Sequence, residues 1–143
     1  IPVSLAIAQA AKETGWGTSR FAQEGNALFG QWTWGDDGIK PENQDDNTSH
    51  KVLQFQILKA SVRAYKNNLN THNAYREFRE KRAQLRQKNE PINGLLLIEY
   101  LKNYAANGEK YVSILESIIN RNSLTDFDKA NLLSTKSKKG LAL

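Results

Sequence analysis

Apolar residues recur at helical spacing along most of this 143-residue chain, and the pattern breaks down between residues 27 and 55. That interruption constrains the fold class, because a helix repeats every 3.6 residues and a strand every 2, and one stretch cannot serve both. Val3, Ile7 and Ala11, flanked by Leu5 and Ala8, form a buried stripe behind Pro2, and Gly15 ends it. Thr18 and Ser19 can cap a short second helix through Gln23, with Gly25-Asn26 as its left-handed stop. Helical spacing resumes at Ile57, Ala60, Ser61, Ala64, Tyr65 and Leu69. Asn70-Thr71-His72-Asn73 reads as a turn, and a further helix is expected over residues 74 to about 87. Beyond Pro91, residues 95–104 and 109–119 read as two more apolar-striped helices. The interrupted region holds Gly30, Gly35, Gly38 and Pro41 among aromatic and polar residues, which predicts loops and a small hairpin. The expected fold is α+β, mainly α, with a helical body carrying one acidic, Gly-rich lobe.

Length and a hydrophobic content of 39% suffice for one domain with its own core. That domain is expected over residues 1–133, followed by a basic tail at 134–143. The absence of cysteine excludes thiol nucleophiles, zinc fingers and a disulfide framework. No apolar run approaches the roughly 20 residues of a membrane span, so stable membrane insertion is not expected. Ile1-Pro2-Val3-Ser4 has none of the marks of a secretory signal, so any export signal is expected upstream.

The net charge of +5 comes largely from Lys129, Lys136, Lys138 and Lys139. All 15 acidic residues, but only 16 of the 20 basic ones, lie at or before Asp128, which leaves the body at 16 − 15 = +1. Basic residues between Arg63 and Lys88 read as a solvated helix face with no groove-reading motif, so nucleic acid is not an expected partner. His50 and His72 are too isolated to argue for a metal site, and no metal or cofactor is expected. No serine sits in a Gly-x-Ser-x-Gly elbow.

Glu13 stands out by position. It falls in the last turn of the first helix, just before Thr14 and the Gly15 stop, where the negative end of the helix dipole opposes its ionisation. Desolvation by neighbouring Trp16 would act in the same direction, toward the raised pKa that a general acid needs. By position alone, the residue reads first as an ordinary exposed glutamate that the helix tolerates. Asn26 through Gly35 include Phe29, Trp32 and Trp34, and aromatic faces beside amides can hold pyranose rings. Phe29 and Trp32 serve either as a groove wall or as core anchors for the loop.

Ala8-Gln9-Ala10-Ala11-Lys12-Glu13-Thr14-Gly15-Trp16-Gly17-Thr18-Ser19-Arg20-Phe21, followed by Asn26-Ala27-Leu28-Phe29-Gly30-Gln31-Trp32, resembles the signature of glycoside hydrolase family 73. This family comprises the glucosaminidase domains of cell-wall hydrolases and of flagellar rod-cap peptidoglycan hydrolases. Ser61-Val62-Arg63-Ala64-Tyr65, Asn68-Leu69-Asn70-Thr71-His72, Ala74-Tyr75-Arg76 and the stretch from Tyr104 to Tyr111-Val112 are similar to its Bax-type members from Gram-negative bacteria. The resemblance covers residues 1 to about 126.

It implies a lysozyme-like fold, with a helix delivering one glutamate to a cleft that a small β-lobe closes. Glu13 takes the place of the catalytic glutamate. Tyr104 takes that of the tyrosine in a Tyr-Ala-Thr-Asp motif, with Ala106 and Asn107 replacing threonine and aspartate. The second carboxylate, where the family uses one, comes from the lobe, and the matched stretch favours Asp45 or Asp46; the substrate's own N-acetyl group is the alternative nucleophile. Substrate-binding residues are expected at Trp16, Asn26, Phe29, Gln31, Trp32 and Tyr111. The implied activity is cleavage of β-1,4 bonds in the N-acetylglucosamine-N-acetylmuramic acid glycan of peptidoglycan by a monomer in the periplasm or cell envelope. A lytic transglycosylase using the same glutamate and a non-catalytic wall-binding module are the alternatives.

Overall fold

A computed structural model describes residues 1–41 and 49–131. Among the described residues five α-helices form the body: α1 (Val3–Thr14), α2 (Arg20–Gly25), α3 (Leu58–Thr71), α4 (Arg76–Gln87) and α5 (Gly108–Arg121). Three short strands, β1 (Trp32–Thr33), β2 (Gly38–Ile39) and β3 (Lys51–Leu53), form the lobe. The fold is thus α+β and mainly α. Asp45, Asp46 and the basic tail expected at 134–143 lie outside the described residues.

The helix ends follow the local chemistry. Gly15 adopts the left-handed conformation and its N–H returns to the Ala11 carbonyl, closing α1. Ser19 Oγ accepts from the Ala22 N–H at 3.2 Å at the start of α2, and left-handed Asn26 ends that helix. At the N-terminus of α1, Asp128 accepts from the Ser4 N–H (2.8 Å) and Ser4 Oγ (2.6 Å). A carboxylate at that end satisfies orphan donors and complements the helix dipole.

One expectation about elements is extended and one corrected. The lobe holds the expected hairpin, since β2 and the next strand β3 pair antiparallel with Gly38 opposite Leu53, and β1 adds to the far edge of β3 with Trp32 opposite Val52, giving a three-stranded sheet of order β1-β3-β2. Residues 95–104 do not form an α-helix; Ile98–Tyr104 is a 3-10 helix. Its inward residues Ile98, Leu101 and Tyr104 recur every three positions, which suits three residues per turn. Elsewhere, α3 runs on through Asn70 and Thr71, and a 3-10 turn at Asn73–Tyr75 leads into α4.

One core holds the body together. Leu5 and Ala8 of α1 pack with Tyr65 and Leu69 of α3, Phe78 and Leu85 of α4, Leu101, and Leu115 and Ile119 of α5. The buried face of α1 also carries Gln9, which is 0% exposed. A fully buried amide must be hydrogen-bonded, and its two partners are Tyr65 and Tyr111, the second of which faces Glu13.

Candidate active site

Glu13 is half-buried at the C-terminal end of α1 and lines a cleft of about 980 Å³ between the helical body and the sheet. Phe29, Gly30, Gln31 and Trp32 form its lobe side; Tyr75, Lys102 and Tyr104 lie among the residues of the body side. A shallower branch of about 530 Å³ continues past Gln31, Asn67, Thr71 and Asn73. Burial raises the Glu13 pKa above the ordinary carboxylate value, outweighing the opposing effects of Lys12 and of a hydrogen bond from Tyr111. The sequence argument assigned part of that desolvation to Trp16, but Trp16 is exposed, and what presses on the carboxylate is the backbone of Gly30.

The expected site residues that fall among the described residues divide into three groups. Glu13, Gln31, Trp32 and Tyr104 line the cleft together. Trp32 is 59% exposed, with its ring stacked on His50 at 4.2 Å between centroids, so it is a groove wall rather than a core anchor. Gln31 carries a buried Oε1 that has no hydrogen-bond partner among the described residues. Tyr104 Oη donates to the Phe29 carbonyl at 2.9 Å, which ties the body to the lobe's first loop.

Phe29 borders the cleft but is a core anchor, 3% exposed and stacked on Tyr65 at 3.9 Å. Tyr111 lies beneath Glu13: it is 3% exposed, its ring stacks on Tyr104 at 5.5 Å, and its hydroxyl faces the Glu13 carboxylate, close enough to favour the ionised form. Its burial does not fit the substrate contact expected of it.

Trp16 and Asn26 stand outside the cleft lining. Asn26 closes α2 and donates through Nδ2 to the Phe55 carbonyl at 2.9 Å, a structural task in place of the expected substrate contact. Asn107, the departure from the tyrosine motif, caps α5 by accepting from the Lys110 N–H at 3.1 Å. Asparagine and aspartate cap about equally well, so the replacement preserves that function.

Asn68, His72, Tyr75, Lys102 and Glu109 also line the cleft; all but Lys102 fall in segments that carry the family resemblance, but none was expected as a site residue. Lys102 pairs with Glu109 at 2.8 Å and with Glu99, and both carboxylates hold its pKa up. His72 lies in the connection after α3, as expected, where its Nδ1 accepts from the Ala74 N–H at 3.2 Å. These residues converge only when the 3-10 helix Ile98–Tyr104 packs against α5 and against the 3-10 turn that follows α3, and no local spacing encodes that.

Residues 1–124 match the family model Glucosaminidase, described as mannosyl-glycoprotein endo-beta-N-acetylglucosaminidase. Over 118 residues the chain is 40% identical to Protein bax of Escherichia coli (strain K12), an alignment that covers 80% of this chain and 40% of that protein. The chain therefore spans about two fifths of the length of that relative. No solved structure matches the chain.

Proposed function

The chain belongs to the glucosaminidase family, and on that premise we propose that it hydrolyses the β-1,4 bonds of peptidoglycan glycan, with Glu13 as general acid. The observation that carries this reading is the half-buried Glu13 carboxyl on the wall of an open cleft, with its pKa raised by burial. A carboxyl whose pKa is raised keeps its proton to a higher pH than an ordinary one and can deliver it to the glycosidic oxygen as the bond breaks. Trp32 offers an exposed ring to a sugar face, and Gln31 lines the groove beside it. Tyr104 lies where its oxygen can face positive charge developing at the anomeric carbon.

Hydrolysis needs a partner that activates water or holds the cation, and Asp45 is proposed ahead of Asp46. Carboxyl separations of about 5–5.5 Å suit retention and about 6.5–9.5 Å inversion. A second reading, lytic transglycosylation, needs no base because the muramic 6-hydroxyl attacks internally. It draws support from Glu109, the other carboxylate of the cleft among the described residues, which Lys102 already engages. Such a substrate places the protein in the cell envelope. No helix among the described residues is long and apolar enough to cross a membrane.

The test is digestion of purified peptidoglycan with product masses and reducing ends read by mass spectrometry. Products that gain one water per cut and end in reducing N-acetylglucosamine support the proposal. Anhydro-muramic ends favour the transglycosylase, and binding without cleavage contradicts both.

A further inference from the structure

Gln9 sits one turn before Glu13 on α1, so both side chains point to the same side of the helix. Gln9 is buried with no exposure and bonds two tyrosine hydroxyls: Tyr65 Oη donates to Gln9 Oε1 at 2.7 Å, and Gln9 Nε2 donates to Tyr111 Oη at 2.9 Å. The two ends of an amide differ, since the oxygen only accepts and the nitrogen only donates. Turning the Gln9 amide over would set its N–H2 against the Tyr65 hydroxyl. The phenolic hydrogen of that nearly fully buried group would lose its acceptor, and an unmet buried donor is costly. Tyr65 therefore sets the orientation of the Gln9 amide. The Tyr111 oxygen in turn accepts from Gln9, so its single hydrogen is free for another acceptor, and the Glu13 carboxylate is the one its hydroxyl faces.

The geometry points to Gln9 as a positioning residue: with Tyr65 it locks the Tyr111 hydrogen onto one Glu13 oxygen and leaves the acidic proton for the other. Nothing in this relay touches the cleft except Glu13 itself, since Gln9, Tyr65 and Tyr111 all stand outside its lining. A carboxyl free to carry its proton on either oxygen spends part of its time with that proton turned inward. Here the inward oxygen is held as an acceptor, so the protonated acid keeps its hydrogen on the oxygen that can reach a glycosidic bond. The same bond favours the ionised form and so limits how far burial can raise the Glu13 pKa. Other titratable groups that act on Glu13 are Lys12 on its own helix and Tyr104 from the 3-10 helix. Lys102 and Glu109 across the cleft form a mutual pair.

This inference rests on Glu13 being the acid, but its test does not. Carbon NMR titration of the Glu13 carboxyl is run on the wild-type protein and on Tyr65→Phe, Tyr111→Phe and the double variant. Both single variants are expected to raise the Glu13 pKa by about half a unit or more, because each releases the Tyr111 hydrogen from the carboxylate. The double variant is expected to shift it no further than Tyr111→Phe alone, since the two residues act through one bond. The alkaline limb of the activity profile should move upward by the same amounts, which a merely structural role for Tyr65 would not produce. An unmoved titration in Tyr65→Phe, or additive shifts, overturns the relay. NOE spectra of the wild-type protein test it without any substitution. The Gln9 side-chain N–H2 protons should lie against the Tyr111 ring, and contact with the Tyr65 ring instead contradicts the proposal. If the titration shifts as expected but Glu13→Gln still cleaves, the relay stands and the reading of Glu13 fails.

Discussion

Gly30 lies directly against the Glu13 carboxylate, so close that a β-carbon at Gly30 would stand 3.1 Å from Glu13 Oε2. Gly30 also has φ +58°, a conformation that other residues adopt at a cost of roughly 1–2 kcal/mol. The lobe's first loop thus desolvates the acid with backbone rather than with a side chain. Gly30→Ala is expected to cut turnover by about tenfold or more by displacing the carboxyl, with only a few degrees lost in Tm. Steady-state kinetics beside a thermal melt checks this, and unchanged turnover would mean that the close approach has no bearing on the reaction.

Tyr104 donates its hydrogen to the Phe29 carbonyl, so its oxygen can offer the substrate only lone pairs. Tyr104→Phe is expected to lower kcat by about tenfold, a smaller loss than removal of Glu13 causes. Kinetics on intact wall decides, and a dispensable hydroxyl would make Tyr104 a packing element under Phe29.

Raising a carboxyl pKa by burial has a consequence for stability. Between the ordinary value of 4.5 and the higher folded one, the native state holds a proton that the unfolded chain has lost. Stability contributed by this group therefore falls as pH rises through that window, and the full penalty is present above the folded pKa. Glu13→Gln is expected to melt higher than wild type at neutral pH and to lose this advantage below about pH 4. Thermal melts of both proteins from about pH 3.5 to about pH 8 test it. A difference in Tm that stays constant with pH would show that burial does not penalise the charge.

Asp45→Asn and Asp46→Asn, made singly, are expected to separate: one large loss of turnover, at Asp45 first, and one small loss, with Tm unchanged in both. Equal, minor losses measured on peptidoglycan would turn the proposal toward assistance by the substrate's N-acetyl group.

The position of Glu13 and the helical body were legible in the sequence because their signals are local. Glu13 precedes a glycine stop by two residues, and the caps at Ser19 and Asn26 lie beside the helix they serve. The three-residue spacing of Ile98, Leu101 and Tyr104 was equally visible, and a strict count of period would have favoured the 3-10 helix. Tyr111 is a different case. Its burial under Glu13 depends on α1 packing against α5 across about a hundred residues of chain, which no motif spacing encodes. The order of the sheet was hidden for the same reason, since β3 pairs with two strands that precede it in sequence. Phe29 and Trp32 were indistinguishable by composition and separated only when the loop's path took Phe29 onto Tyr65 and Trp32 onto His50.

The most direct measurement is digestion of purified peptidoglycan by Glu13→Gln beside the wild-type protein, with soluble muropeptides quantified by mass spectrometry and the fold of each checked by circular dichroism. The exchange keeps the shape of the side chain and removes its proton, so release should fall at least about a hundredfold while the spectra coincide. Release at near wild-type rates from a folded Glu13→Gln protein would contradict the assignment of Glu13 as the acid.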